Sequence, residues 1–204
     1  GEVPCVVLGQ DRRRETPEKP LSPSGLRVAR RGMRLATELD LPLVSIIDTS
    51  GAALSREAEE GGLAGEIARC LAELVVLAEP TLGVLLGQGT GGGALALMPA
   101  DRVISAQHSW LSPLPPEGAS AILYRDTAHA PVLAAQQRVR STDLLADGIV
   151  HRIVAERPDA ADEPEAFCQR LAQVIAHELG ELSAMKPASR LAARHSRYRN
   201  LGLG

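Results

Sequence analysis

The sequence predicts an α/β protein built on a parallel sheet, and three observations carry that prediction. Short aliphatic runs alternate along the chain with amphipathic helical segments, the order that places successive strands parallel. Hydrophobic residues make up 45% of the 204 residues but aromatic ones only 2%, so the core must be Leu, Val, Ile and Ala, as where helices cover aliphatic strands. The run Leu82–Leu86 leads into Gly87-Gln88-Gly89-Thr90-Gly91-Gly92-Gly93 and then into a small-residue helical segment, which reads as strand, glycine turn and helix N-terminus.

The elements follow in order. Val3–Gly9 reads as a buried strand, followed by a charged, proline-containing loop to about Ser24. From Leu26 to Leu39 the apolar residues Leu26, Ala29, Met33 and Ala36 form one stripe of an amphipathic helix, with Pro42 after its end. Leu43–Ile47 is a short aliphatic strand ending in Asp48-Thr49-Ser50-Gly51-Ala52, a polar loop at the strand's C-terminal edge, where α/β proteins place ligands. A charged loop through Glu59-Glu60 leads to a helix from about Leu63 to Leu77. Strand Leu82–Leu86, the glycine turn and a short helix Ala94–Met98 come next, then strand Arg102–Ala106 and irregular chain over Gln107–Pro116. Helices are expected over Glu117–Tyr124, Pro131–Val139 and Thr142–Ala146, a last strand over Ile149–Val154, and a long helix over Glu163–Leu182.

Composition narrows the function. A net charge of −3 gives no reason to expect nucleic acid as a partner. The charge is uneven: Arg12, Arg13, Arg14, Lys19, Arg27, Arg30, Arg31 and Arg34 cluster early, and Arg190, Arg194 and Arg197 occupy a tail without acids. These are either solvated faces or a surface for a phosphate-bearing cofactor or an acidic partner. Cys5, Cys70 and Cys168 stand far apart, against a zinc ribbon or a disulfide framework and in keeping with a reducing compartment. No signal peptide is evident, and no apolar run approaches the ~18 residues of a membrane span. A soluble cytoplasmic protein without a membrane partner is expected. The five histidines show no ligand spacing, so no metal is expected, and Ser109, Ser112 and Ser120 lack a nucleophile elbow. Glu59-Glu60 reads as an acidic pair placed before a helix rather than as an acid–base couple. The chain starts at Gly1 without Met and close to a strand, so it is expected to be a single domain, either a separate subunit or half of a longer polypeptide.

The glycine stretch admits several readings. A nucleotide-hydrolase phosphate loop needs Gly-Lys-Ser/Thr where Gly93-Ala94-Leu95 stands. A dinucleotide fingerprint needs an acid about twenty residues on, where Gln107-His108-Ser109-Trp110 stands. Two readings remain: close packing of helix on strand, or bare N–H groups presented to an anion or a developing oxyanion.

Several stretches, taken together and in this order, resemble the α subunit of bacterial acetyl-CoA carboxylase carboxyltransferase. They are Asp48-Thr49-Ser50-Gly51-Ala52, Ala58-Glu59-Glu60, Glu66-Ile67-Ala68-Arg69, the glycine run through Ala96, Asp101-Arg102-Val103, and Ser112 followed by Pro116-Glu117-Gly118-Ala119-Ser120-Ala121-Ile122-Leu123-Tyr124. The likeness runs from Val6 to Arg194–Leu201. It implies a crotonase-like (ClpP/crotonase) fold, ββα turns stacked into a superhelix with flanking helices. It also implies a β-type partner subunit, in the family as a dimer of αβ pairs, and transfer of a carboxyl group from carboxybiotin, carried on a separate biotin carboxyl carrier protein, to acetyl-CoA. The product would be malonyl-CoA for fatty acid synthesis.

In that likeness the N–H groups of Gly92 and Gly93 hold the biotin ureido oxygen as charge develops. Gly51, Ala52, Gly91, Ala94, Glu117 and Gly118 belong to loops around biotin and acyl-CoA, and no metal is held by this chain. The biotin anion can itself take the acyl α-proton, so oxyanion stabilisation and alignment are the protein's main role. The sequence departs from the family at Ser50, at Ala53-Leu54-Ser55, at Gly61-Gly62-Leu63 and at Arg12-Arg13-Arg14, all around the mouth of the site. Two further readings stay open: a non-catalytic scaffold paralogue, and a carboxylase of propionyl-CoA or a longer acyl-CoA.

Overall fold

The structure is a computed structural model that describes residues 4–16, 20–53 and 55–200. Val3, Lys19, Leu54 and Leu201, named above, lie outside the described residues. Strand β1 (Val6–Gly9), helix α1 (Pro23–Glu38), strand β2 (Leu43–Thr49), helices α2 (Arg56–Glu60) and α3 (Leu63–Val76), strand β3 (Thr81–Thr90) and helix α4 (Gly91–Leu95) form the first half. Strands β4 (Arg102–Ala106) and β5 (Trp110–Ser112), helices α5 (Pro116–Tyr124), α6 (Ala130–Gln136) and α7 (Ser141–Ala146), strand β6 (Arg152–Val154) and helices α8 (Pro164–Ala184) and α9 (Pro187–Asn200) form the second. The sheet runs β1-β2-β3-β4-β6, with β5 paired to the far end of β3. Every one of these pairings is parallel, as the alternation of strands and helices predicts.

In β2, β3 and β4 the aliphatic runs are continuous because both faces of the sheet are covered there, whereas β1, expected to be buried, is an edge strand that leaves Val7 59% exposed. Leu43, Ile47, Leu85 and Val103 face one side and pack with Leu26, Met33, Ala36, Cys70 and Leu74 of α1 and α3. Val44, Leu82, Val84 and Ile104 face the other and pack with Leu179 of α8. Gly83 lies on the first face, where an added Cβ would stand 3.4 Å from Val103 Cγ2.

Some boundaries differ from expectation for identifiable reasons. Helix α1 starts three residues early because Pro23 sits at its first position, where a missing N–H is harmless. Helix α2 replaces expected loop, capped by Ser55 Oγ accepting the Ala58 N–H at 3.2 Å. Strand β3 continues to Thr90, so Gly87–Thr90 are strand rather than turn: Thr49 pairs with Gly89, and β5, expected to be irregular, pairs with Gln88–Thr90. The short helix after it begins at Gly91 and ends at Leu95 instead of spanning Ala94–Met98.

The basic tail is a helix turned inward. In α9, Arg190 and Arg194 are buried. Arg194 pairs with Asp101 through Nε–Oδ1 at 2.8 Å and Nη2–Oδ2 at 2.7 Å. It also donates to the carbonyls of Leu74 and Leu77 at 2.9 and 2.8 Å, at the C-terminal end of α3, where carbonyls lack a full set of helical partners. Asp101 in turn accepts from Thr81 N–H at 2.8 Å. These arginines are neither solvated nor free for an acidic partner. On α1, Arg27 and Arg30 pair with Glu66 of α3 at 3.7 and 3.0 Å, and Arg30 and Arg34 with Glu73, so part of that positive charge is offset within the fold. Among the described residues no helix is long and apolar enough to cross a membrane.

Candidate active site

The site is built where the C-terminal ends of β1, β2 and β3 meet the start of α4. Two of the glycines on β3 are there because neighbours leave no room. A Cβ built at Gly87 would stand 2.7 Å from Asp48 Oδ1, the oxygen that accepts the Gln88 N–H at 2.9 Å. At Gly89 a Cβ would lie 2.7 Å from Leu85 Cδ1 and 3.1 Å from the Trp110 carbonyl oxygen. The chain then turns at Gly91 with φ +57°, in the left-handed region that favours glycine.

Gly92 and Gly93 follow as bare backbone. At Gly92 a Cβ would meet Ile67 Cδ1 at 2.7 Å; at Gly93 it would meet Leu21 Cδ2 at 2.9 Å, Ala52 N at 3.3 Å and Gly51 C at 3.4 Å. The structure therefore brings Gly51-Ala52 against the glycine turn. Gly51 has φ +122°, and its N–H is held by Thr49 Oγ1 at 3.1 Å while Thr49 donates to Glu15 at 2.7 Å. Gly91 and Gly92 are partly exposed, whereas Gly93 and Ala94 are buried. With only five residues, α4 adds little macrodipole, so any anion here is held by individual N–H groups.

Glu117 and Gly118 sit elsewhere, on the first turn of α5. Their link to the turn is indirect: the Pro113 carbonyl oxygen would lie 3.5 Å from a Cβ at Gly91, and Leu114 Cδ1 3.6 Å from one at Gly118. Glu117 instead lines a cavity of about 600 Å³ with Trp110, Pro131 and Arg140. A second cavity, of about 930 Å³, runs along β1 and α1 past Gln10, Leu21 and Ala53, and its lining does not include Gly91–Gly93.

Sequence reasoning missed Gln10. Its Nε2 donates to the Gly93 carbonyl oxygen at 2.9 Å and its Oε1 accepts the Asp48 N–H at 3.1 Å. A polar residue directly after an aliphatic strand is the signal that could have found it. From the arginine run, Arg12 alone turns inward, bonding Gln88 and lying 3.8 Å from Asp48. Arg13 and Arg14 are exposed beside Asp11.

The contacts of the histidines lie away from the turn. His129 pairs with Asp126 at 2.9 Å and stacks on Tyr124, and His195 Nε2 lies 3.2 Å from the Val75 carbonyl. His151 Nδ1 accepts the Val103 N–H at 3.0 Å, and burial of that edge with the Arg197 charge nearby pushes its pKa down to about 4. His108, Glu156 and Asp159 place one ligand atom each within 4.8 Å of one another. Glu156 already accepts N–H groups from His108 and Ala160, both at 2.9 Å, which makes the cluster a staple between two loops. Cys70 is buried, and burial pushes its thiol up to about 11, leaving no nucleophile there. Glu60 pairs with Arg56 at 2.7 Å on the surface, so Glu59-Glu60 is not an acid–base couple.

Residues 1–202 match the model of the acetyl co-enzyme A carboxylase carboxyltransferase-like family. The chain is 60% identical over 203 residues to a probable biotin-dependent acyl-coenzyme A carboxylase beta3 subunit of Mycobacterium tuberculosis, covering 100% of this chain and 41% of that protein. It is 41% identical over 206 residues to the acetyl-coenzyme A carboxylase carboxyl transferase subunit alpha of Deinococcus radiodurans, covering 98% of this chain and 65% of that one. The chain thus spans about two-fifths of the length of the first relative and about two-thirds of the second. Among solved structures, a Pseudomonas malonate decarboxylase hetero-tetramer in complex with coenzyme A superposes with a TM-score of 0.74 at 19% identity, covering 98% of this chain and 86% of that one. The transcarboxylase 12S hexamer core superposes at 0.73 and 18% identity, covering 88% and 33%. These neighbours share the crotonase-like fold. The chain belongs to the acetyl co-enzyme A carboxylase carboxyltransferase-like family.

Proposed function

We propose that this chain is the biotin-side half of the carboxyltransferase of a biotin-dependent acyl-CoA carboxylase. It would move a carboxyl group from carboxybiotin, borne on a separate carrier protein, to an acyl-CoA. The observation that carries the reading is the stretch of side-chain-free backbone at Gly91–Gly93, partly exposed at Gly91 and Gly92 and set against Gly51-Ala52. Side chains at Gly92 or Gly93 would press on Ile67, Leu21 and the Gly51-Ala52 backbone and displace the turn, so the bare N–H groups and the close packing depend on the same glycines. When bound, carboxybiotin supplies the carboxyl group. The N–H groups of Gly92 and Gly93 would stabilise negative charge on its ureido oxygen, with Gly51 and Ala52 packed beside the turn and Ala94 buried at its end.

The second half of the site belongs to a β-type partner, as a separate subunit or as another part of a longer polypeptide. The glycine turn lines neither of the two cavities described above, which suits a site completed by another surface. Helix α5 also leaves Ile122 and Leu123 71% and 64% exposed, a patch that suits burial in an assembly. Acetyl-CoA is the acceptor implied by the names of the alpha-subunit relatives. The broader name of the 60% identical relative favours a second reading, with propionyl-CoA or a longer acyl-CoA as acceptor. Glu117 and the adjacent Gly118, on α5, are kept as members of the loops that would meet substrate or biotin once the partner is in place.

The test is co-purification with candidate β-type halves, followed by assay of the complex with carboxylated carrier and acetyl-, propionyl- and longer acyl-CoA. Transfer to one of them supports the reading. A stable complex that transfers to none of them would leave the scaffold paralogue as the correct account.

A further inference from the structure

Three consecutive glycines are poorly fixed by their own sterics, because residues without a Cβ sample a wide range of φ and ψ. Donors that must point at a developing charge need fixed directions. Something outside the turn therefore has to set them. Helix α4 fixes them only in part. Ala96 N–H bonds the Gly92 carbonyl at 3.0 Å, but Leu97 N–H bonds Ala94 at 3.1 Å instead of Gly93. The Gly93 carbonyl is left without the partner a longer helix would give it, and Gln10 Nε2 takes that place at 2.9 Å.

We propose that Gln10 is a positioning residue for the glycine turn, holding the Gly93–Ala94 peptide so that the turn's N–H groups keep one direction. The inference rests on the functional reading above. In a trans peptide the C=O and the following N–H point in opposite directions, so holding the Gly93 carbonyl sets the Ala94 N–H directly. It also sets ψ at Gly93 itself. The brace is anchored at its other end, where Gln10 Oε1 accepts the Asp48 N–H at 3.1 Å and Asp48 Oδ1 accepts the Gln88 N–H at 2.9 Å. Gln10 N–H is itself bonded to the Ile46 carbonyl at 3.1 Å. One side chain thus ties the ends of β1 and β2 to α4, and through Asp48 to β3. Its two partners are of opposite kind, one carbonyl and one N–H, so the brace needs a donor and an acceptor on one planar group, as a glutamine amide provides.

That requirement gives a test that plain loss of packing does not mimic. In Gln10→Glu the carboxylate keeps the size of the side chain and still accepts the Asp48 N–H, but it has no donor for Gly93. Protonating it restores an O–H donor. In the complex with the β-type half, Gln10→Glu should lower kcat roughly tenfold or more at about pH 8 with the acyl-CoA KM within about twofold. The ratio of mutant to wild-type kcat should then climb as pH falls through the carboxyl range toward about pH 5.5. Gln10→Leu should show the same loss with a ratio that does not change with pH. If Gln10→Leu fails to assemble, Gln10→Glu alone decides.

A Gln10→Glu variant with wild-type kcat overturns the proposal, as does a ratio flat with pH or a loss confined to the acyl-CoA KM. A wild-type complex inactive on the whole acyl-CoA panel overturns the functional reading and this inference with it. An active wild type with an equally active Gln10→Glu overturns this inference alone.

Discussion

Replacing the glycines of the turn separates a backbone-donor mechanism from one run by a side-chain base, and the structure gives the two glycines different expected outcomes. At Gly92 a new Cβ would stand 2.7 Å from Ile67 Cδ1, the far end of a flexible side chain that can rotate away. At Gly93 it would also press on the backbone at Ala52 N, 3.3 Å away, and on Gly51 C, so the neighbouring loop itself has to move. Overpacking of this kind costs about 1–3 kcal/mol, with Gly93 at the upper end. Gly92 is therefore the cleaner probe. If its N–H and the adjacent donor hold the oxyanion, Gly92→Val should distort the turn and block close approach. The loss should be about 2.7–4 kcal/mol of transition-state stabilisation, roughly two to three decades in kcat, with the acyl-CoA KM nearly unchanged. The assay is carboxyl transfer by the assembled complex at equal carrier concentration, beside urea unfolding to show that the variant is folded. His108→Ala is the control and should retain activity within about tenfold, since His108 is engaged with Glu156 away from the turn. A folded Gly92→Val complex with near wild-type turnover, beside a folded His108→Ala complex that has lost it, would refute the reasoning.

The remaining predictions concern stability and reactivity. Removing Arg194, buried against Asp101, as Arg194→Met should cost about 3–5 kcal/mol in urea unfolding, because it leaves Asp101 without its main counter-charge; a loss below about 1 kcal/mol would make α9 a passive covering. Cys70, with its thiol pushed up to about 11 by burial, should resist a thiol reagent at neutral pH that labels the exposed Cys168; equal labelling of the folded protein would contradict the packing of α1 on α3. His151 is held near pKa 4 in the folded chain, against about 6.5 when unfolded. Between these values the unfolded state binds the extra proton, so His151 should make stability fall as pH drops from about 6.5 toward about 4, and leave it unchanged above that window. Because the outer face of the residue is exposed the decline should be modest, and His151→Gln, which can still accept the Val103 N–H, should flatten it; an unchanged slope in that variant would show that other groups carry the acid sensitivity.

The sequence shows the fold best where a single period operates over a long enough run. The stripe Leu26–Met33–Ala36 gives α1, and the aliphatic run Arg102–Ala106 gives β4 with its observed boundaries. Helix α9 is hidden because the residues it buries are arginines, which any reading of apolar periodicity scores as surface. Their burial depends on Asp101 and on the carbonyls at the end of α3, distant in sequence. Strand β5 is hidden for a related reason: three residues form a strand only because β3 runs on past Leu86, and that extension depends on glycines at 87 and 89 leaving room for Asp48, Leu85 and Leu111. At the site, local glycine chemistry marks Gly91–Gly93, and the strand-end rule marks Gly51-Ala52. Their mutual contact is long-range, as is the reach of Gln10, and a motif cannot show either. Glu117 and Gly118 follow the family motif but stand on α5, with Glu117 lining another cavity, and their relation to the turn depends on what the partner adds.

The central claim is that this chain carries one half of a carboxyltransferase site. The most direct measurement is transfer of labelled carboxyl from carboxybiotin to an acyl-CoA by the purified 204-residue chain, alone and with its β-type half. The account predicts no transfer by the chain alone and turnover on adding the partner, lost again in Gly92→Val. Malonyl-CoA formed by the chain unaided, or an assembled complex indifferent to the glycine substitution, would contradict it.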